Sequence, residues 1–330
     1  MKKWIVLCVS AILLLSACSN NEEATKQANT NEATENNNET TTNELTEETI
    51  VKGEEGDAVP MIQQALIDIG YDVEETGVLD SYTVWALTDM QLQLEDIATT
   101  GIYDKAMKQV IEEQLDQTTV EPAAKLDRPD SNDHLSLAID NPYEVLALVN
   151  KSNALPEGFE PEDLTVPDVR FPFEEDDPKK QLRKVAADAL EELFEASEAE
   201  GLNLFAQSGY RSYDRQVAVF AANVEKHGEE HANTYSARPG ESEHQTGLVM
   251  DVTTDEVGFD LIVEFGETDE GKWLKDNAHE YGFIIRYPEG KEDITKYQYE
   301  PWHLRYVGEQ AATEIYEKEM TLEEYLEAKQ

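Results

Sequence analysis

The hydrophobic and polar positions divide the chain into segments of different character. Residues 4–15 form an almost unbroken apolar run, whereas residues 19–50 consist mainly of Asn, Glu, Thr and Ala. Such a polar stretch buries too little apolar surface to offset the entropy of ordering, so we predict a disordered tether over residues 18–50. Beyond residue 53 apolar residues recur with helical or strand periods, which predicts folded structure for most of the remaining chain.

Three helices are predicted within residues 51–116. Val59, Ile62 and Leu66 recur at helical spacing, Gly70 ends the first helix, and glycine turns near residues 77 and 101 precede the second and third. A generic small helical bundle would satisfy this pattern. The spacing also resembles the three-helix peptidoglycan-binding domain found beside many wall hydrolases, with matches and two departures at Met90 and Met107. The matching positions are Gln63, Leu66, Gly70, Tyr71, Gly77 and Thr83.

The C-terminal half is predicted to be a separate domain of mixed structure. Residues 117–140 are rich in Thr, Pro, Asp, Ser and Asn, which indicates a second linker, and residues 141–330 then form the larger domain. Within it, helices and short strands alternate without a strict βαβ order, which indicates an α+β fold. Helices are predicted over 179–200, 213–226, 271–281 and after 321, and strands over 202–207, 248–253, 283–287 and 303–307.

The charge of the chain excludes one class of partner. There are 71 acidic and 26 basic residues, so the formal net charge is -45. A surface this acidic repels nucleic acid, which binds proteins largely through phosphate contacts. The acidity is expected to act as a solvated coat that keeps the protein soluble. The composition does not indicate an oligomeric state.

The N-terminus predicts export and lipidation. Lys2 and Lys3 precede the apolar run, which is too short for a comfortable membrane span. Residues 15–18, Leu-Ser-Ala-Cys, resemble the lipobox of bacterial lipoproteins, which implies a signal peptide over residues 1–17 and a lipid anchor at Cys18. The protein would then lie on the extracytoplasmic face of the cell membrane, facing the wall. The alternative is an ordinary secretory signal with an incidental cysteine.

Two of the six histidines have surroundings that indicate a metal site. His244 precedes Asp251 by seven residues, and Glu300 precedes His303 by three. Because Cys8 and Cys18 are the only cysteines, thiolate ligands are excluded from the body of the protein. Two imidazoles and a carboxylate suffice for a catalytic zinc with an open position, and a further carboxylate can accept a proton. On spacing alone, chance and ordinary hydrogen bonding in the core are equally good explanations.

Three motifs resemble those of the VanY-type D-alanyl-D-alanine carboxypeptidases, and the resemblance covers about half of the chain. They are Ser-Gly-Tyr-Arg-Ser at 208–212, Ser-Glu-His-Gln-Thr-Gly through Asp at 242–251, and Tyr-Glu-Pro-Trp-His at 299–303. The resemblance implies an α+β zinc peptidase domain of the hedgehog type, a small antiparallel sheet flanked by helices. It also implies zinc ligands at His244, Asp251 and His303 and a catalytic base at Glu300.

The same resemblance implies roles on the substrate side. Arg211 would stabilise the developing oxyanion or bind a carboxylate, with a structural salt bridge as the alternative. Gln216 and Ser242 match positions that contact the terminal residue of the substrate, although either could cap a helix or brace a loop. Lys296 stands where the family often has Gly, in the turn before the last motif.

The sequence therefore predicts a zinc carboxypeptidase that removes the terminal D-Ala from peptidoglycan stem peptides. An LD-carboxypeptidase that acts on tetrapeptide stems is the enzymatic alternative, because specificity depends on pocket contacts. A wall-binding lipoprotein without turnover and a solute-binding lipoprotein are the alternatives from other classes. The intact set of His, Asp and Glu residues argues against both.

Overall fold

A computed structural model describes residues 44–129 and 139–329. Cys18, the predicted signal peptide and most of the predicted tether lie outside the described residues. Within the described ranges, no helix is both long enough and apolar enough to cross a membrane.

The three predicted N-terminal helices are confirmed as α1, α2 and α3. Asp80 and Asp104 each accept a hydrogen bond from a backbone N–H in the first turn of the helix that follows, which caps α2 and α3. Gly70 ends α1 with a positive φ of 118°, a conformation that glycine adopts without strain. The helices span Ala58–Ile69, Ser81–Leu92 and Lys105–Asp116.

Both ends of this helical region are more extensively packed than the sequence indicates. Ile50 pairs with Tyr103, and Leu45 is buried in the helical core, so residues 44–50 are ordered although they belong to the predicted tether. The carboxylate of Asp89 on α2 accepts N–H bonds from Lys125 and Leu126, both at 2.8 Å. The beginning of the predicted linker is therefore held against α2, because a few anchoring contacts outweigh a polar composition.

The C-terminal region has the predicted α+β architecture, with a four-stranded antiparallel sheet in the order β3-β4-β6-β5. A separate hairpin pairs β1 with β2. Its second strand takes residues 182–183, so the long helix begins at Lys184 and not at residue 179 as predicted. The strands are β1 Leu164–Thr165, β2 Leu182–Arg183, β3 Phe205–Ser208, β4 Val249–Thr253, β5 Phe283–Tyr287 and β6 Glu300–Tyr306.

Helices cover this sheet and complete the core. The predicted helices near 184–199, 213–227, 269–277 and 322–328 are confirmed, and Thr321 with Glu324 forms the predicted capping box. Three further helices, over residues 229–235, 292–295 and 309–317, were not predicted from the sequence. The helices are α4 Lys184–Ala199, α5 Tyr213–His227, α6 Glu229–Tyr235, α7 Asp269–Asn277, α8 Glu292–Thr295, α9 Glu309–Glu317 and α10 Leu322–Ala328.

The helical region packs directly against the α+β domain. The side chain of Arg183 is fully buried. Its Nη1 donates to the carbonyl of Tyr143 at 2.7 Å, and its Nη2 donates to the carbonyl of Thr99. Thr100 accepts an N–H bond from Val145 at 3.1 Å. The α+β domain thus uses one backbone carbonyl of the helical region, that of Thr99, to help satisfy its own buried cation.

Candidate active site

The sheet brings the predicted metal ligands together. Asp251 on β4 is the register partner of His303 on β6, so their side chains lie side by side. His244 comes from a 3-10 turn over residues 243–246 that precedes β4, and Gly247 ends this turn with a φ of 70°. One ligand atom from each of His244, Asp251 and His303 lies within 4.8 Å of the others.

The chemistry of these three side chains fits a zinc ion. His244 Nδ1 lies 2.8 Å from the carbonyl of Gly209, which fixes the N–H on Nδ1 and leaves the Nε2 lone pair 3.4 Å from Asp251 Oδ2. His303 Nδ1 lies 3.1 Å from Asp251 Oδ1, yet this buried oxygen has no hydrogen-bond partner among the described residues. A buried carboxylate is costly without a partner, and a shared cation would satisfy it. Two nitrogens, one oxygen and an open side are the donor set of a catalytic zinc.

Interactions between their charges set the protonation of Asp251 and His303. Burial alone would raise the pKa of Asp251, but the neighbouring His244 and His303 hold it well below its ordinary value. Burial lowers the pKa of His303, and its contacts with Asp251 and Glu243 outweigh this and raise the pKa to about 9. A metal ion at this imidazole therefore competes with a proton, so metal binding is expected to release one.

Glu300 lies at the start of β6, beside the three predicted ligand residues. Its Oε2 is 3.7 Å from His303 Nδ1, and only 8% of the residue is exposed. Burial raises the pKa of Glu300 to about 7, an effect to which Asp251 adds and which His303 and Arg211 reduce. A carboxylate that titrates near neutral pH suits a group that accepts and returns a proton.

Arg211 faces the same group from the other side and is held by polar side chains. Its Nη1 donates to Gln216 Oε1 at 3.0 Å and its Nη2 to Ser208 Oγ at 3.2 Å. No carboxylate among the described residues lies within salt-bridge distance of it, so the structure does not support the salt-bridge alternative. Gln216 donates in turn to the carbonyl of Ala237 at 2.6 Å. Gln216 therefore orients Arg211, and its predicted substrate contact stays a prediction.

These residues surround a single cavity of about 280 Å³. Ser242 lines this cavity together with side chains from four parts of the chain, and its contact with substrate stays a prediction. The lining residues are Arg211, Val219, Asn223, Tyr235, Ser236, Ala237, Ser242, Glu243, His244, Asp251, Leu261, Tyr287, Tyr297, Gln298, Glu300, Trp302 and His303. Gln216 lies behind this wall, where it contacts Arg211.

The sequence reasoning missed a buried charge network behind His303. Glu243 Oε1 accepts from Arg286 Nε and from Arg305 Nη1, both at 2.7 Å, and its Oε2 lies 3.7 Å from His303 Nε2. Arg286 also makes a two-bond ion pair with Glu323 on α10, at 2.8 and 2.7 Å. The detectable signal was the presence of arginines at buried positions of apolar strands, since a buried cation needs a nearby carboxylate.

Comparisons with known proteins agree with this geometry. A family model described as D-alanyl-D-alanine carboxypeptidase, VanY, matches residues 179–309, and one for a peptidoglycan binding domain matches residues 55–111. The Bacillus subtilis protein described as "Putative carboxypeptidase YodJ" is 58% identical over 189 residues, or 57% of this chain and 69% of YodJ.

Two further relatives have stated activities. The bifunctional D-Ala-D-Ala dipeptidase and carboxypeptidase VanXYC of Enterococcus gallinarum is 34% identical over 182 residues, covering 54% of this chain and 92% of VanXYC. The solved structure of the LD-carboxypeptidase LdcB matches with a TM-score of 0.56 and 53% identity, over 63% of this chain and 92% of that one. With the site geometry above, these matches show that the chain belongs to the VanY family of peptidoglycan carboxypeptidases and carries an N-terminal peptidoglycan-binding domain.

Proposed function

We propose that this protein is a zinc-dependent carboxypeptidase that releases the terminal D-alanine from peptidoglycan stem peptides. One observation carries the proposal: His244, Asp251 and His303 converge on a cavity that Glu300 and Arg211 also face. Three ligands, a proton acceptor near neutral pH and a fixed cation are the groups that hydrolysis of a peptide bond requires.

The reaction assigns a separate task to each group. Zinc held by His244, Asp251 and His303 would supply Lewis acidity to polarise the scissile carbonyl and to make water a better nucleophile. Glu300 accepts the proton of the attacking water and passes it to the amine of the departing D-alanine. Arg211 places its guanidinium charge toward the developing oxyanion or toward the terminal carboxylate of the substrate.

Two peptide bonds are candidates for the bond that the protein cleaves. The sequence predicts the D-Ala–D-Ala bond of pentapeptides, and the activities stated for VanXYC support this. The second candidate is an LD-carboxypeptidase that removes D-Ala from tetrapeptides, and the 53% identity to LdcB supports it. Both reactions release a terminal D-alanine and use the same groups, so the discrimination depends on the wall of the cavity.

Mass spectrometry of purified muropeptides tests the activity and the bond together. The protein is incubated with pentapeptide and tetrapeptide muropeptides, with and without a chelator and with zinc added back. Release of D-Ala from the pentapeptide alone identifies the D,D bond, and release from the tetrapeptide alone identifies the L,D bond. We expect activity to disappear with the chelator and to return with zinc. Absence of cleavage of either substrate by the zinc-loaded protein would refute the proposal.

Two variants separate the metal from the proton transfer. Glu300→Ala should lose turnover by a factor of about 100 or more while it retains zinc, because it removes the proton acceptor and no ligand. His244→Ala should lose the metal, as measured by elemental analysis after dialysis. Unimpaired turnover by Glu300→Ala would refute the mechanism.

The location of the enzyme completes the proposal. A lipid anchor at Cys18 on the extracytoplasmic face of the membrane would place the enzyme opposite the wall, and the peptidoglycan-binding domain would raise the local concentration of stems. Metabolic labelling with a fatty acid analogue tests the anchor, since Cys18→Ala should abolish both the label and the membrane association.

A further inference from the structure

The ammonium group of Lys151 lies outside the proposed catalytic set. Lys151 projects from a tight turn in which Asn150 and Asn153 exchange two backbone hydrogen bonds, at 3.0 and 3.2 Å. Asn150 Oδ1 also accepts the N–H of Ser152 at 2.9 Å. Buried Val149 and Leu155 anchor the two sides of this turn. The base of the Lys151 side chain is therefore fixed in position.

The ammonium bridges two segments that are far apart in sequence. Nζ donates to the carbonyl of Asn233 in the last turn of α6 at 2.6 Å, and to the carbonyl of Lys296 directly after α8 at 2.8 Å. It also lies 4.3 Å from the ring centre of Tyr297, within range of a cation–π interaction. Carbonyls at a helix C-terminus lack partners within the helix, so a lysine is a suitable donor for both.

Each of these two carbonyls adjoins one wall of the cavity. Residues 235–237 follow Asn233 and line the cavity, and the carbonyl of Ala237 holds Gln216, which in turn holds Arg211. Residues 297 and 298 follow Lys296 and line a second wall, which continues into β6 and Glu300. One wall thus carries the cation and the other carries the proton acceptor.

We infer that Lys151 is a positioning residue that ties these two walls together and thereby fixes the separation between Arg211 and Glu300. The functional part of this inference rests on the proposed carboxypeptidase activity, and the structural part does not. Lys296 adds support, because it adopts a φ of 65°, which a residue other than glycine adopts rarely and only when its surroundings hold it. The bond from Lys151 to its carbonyl is one such constraint.

The test compares Lys151→Met, which keeps the length of the side chain and removes its donors, with Lys151→Arg, which retains donors for both carbonyls. Lys272→Met is the matched control, because Lys272 Nζ also donates to a main-chain carbonyl, that of Glu267 at 2.5 Å, away from the cavity. For Lys151→Met we expect kcat/KM to fall about ten-fold or more, with both kcat and KM affected, because two charged hydrogen bonds are lost. Lys151→Arg should recover most of this loss, and Lys272→Met should resemble the wild type. Zinc content should be unchanged in all three variants.

Hydrogen exchange supplies a readout that does not depend on activity. In Lys151→Met, amides of residues 229–237 and 296–298 should exchange faster than in the wild type, whereas those of β4 should not. Unchanged exchange in both segments would overturn the inference, and so would wild-type kcat/KM in Lys151→Met or a loss of zinc that parallels the loss of activity. If the wild-type protein cleaves no stem peptide but the exchange result holds, the proposed function fails and the bridging role of Lys151 stands.

Discussion

Replacement of Arg183 by methionine tests whether the helical region is an integral part of the enzyme's structure. Arg183 is fully buried, and its guanidinium donates to the carbonyls of Thr99 and Tyr143 and to the carboxylate of Asp163, at 3.0 Å for the last. Methionine fills much of the same volume but offers no donor. Two backbone carbonyls and one carboxylate would therefore lose their partner.

The structure sets the magnitude of the effect. A buried carbonyl left without a donor costs about 1–3 kcal/mol, and the partly exposed Asp163 adds little because water replaces its partner. For two carbonyls we therefore expect the free energy of unfolding to fall by about 2–6 kcal/mol, a large share of the ~5–15 kcal/mol typical of folded proteins. The contact with Thr99 also predicts that the loss extends to the packing of the helical region.

Urea denaturation followed by circular dichroism measures this change. Arg170→Met is the matched control, since Arg170 is 38% exposed and lies 3.8 Å from Glu198, and it should cost less than about 1 kcal/mol. We expect the wild type to unfold in one transition and Arg183→Met to unfold at a clearly lower urea concentration. A loss below about 1 kcal/mol in Arg183→Met would refute the reasoning, because the buried carbonyls would then have found other partners.

Two further predictions concern residues around the proposed metal ligands. Gly247→Ala should lower stability by about 1–3 kcal/mol and weaken zinc binding in a chelator competition, because the new Cβ would lie 2.8 Å from Arg183 Cγ at a φ of 70°. Gly258→Ala controls for backbone strain, since Gly258 has a φ of 66° and no atom within 4 Å of the new Cβ. An equal effect of both variants would contradict the steric argument. Burial would raise the pKa of Glu243, but Arg286 and Arg305 hold this pKa below its ordinary value of 4.5. These ion pairs therefore stabilise the folded state fully above pH 4.5, and this stabilisation is lost as the pH falls below 4.5. Urea midpoints between about pH 7 and pH 3 should therefore fall less steeply for Glu243→Gln than for the wild type, and identical slopes would show that another group carries the acid sensitivity.

The local elements were largely predictable from the sequence. Helical spacing, Gly70 and the glycine turns near residues 77 and 101 identified α1, α2 and α3, because these signals act within a few residues of each other. The three motifs around Arg211, His244 and His303 identified the family, and their residues do meet at one cavity. The polar composition of residues 44–50 and 117–129 was misleading, since a few contacts such as those of Asp89 hold these segments in place.

Only the tertiary structure decided which residues that are distant in sequence come into contact. The register of β4 and β6 places Asp251 beside His303, and no local pattern specifies which strands become neighbours. The ion pairs of Glu243 with Arg286 and Arg305, the contact of Arg183 with Thr99 and the bridge of Lys151 each join segments more than 40 residues apart. The sequence by itself determined which chemical groups are available and the helices and strands that carry them. Packing decided which of those groups meet, because burial of a charge or a carbonyl is tolerated only where the fold supplies its partner.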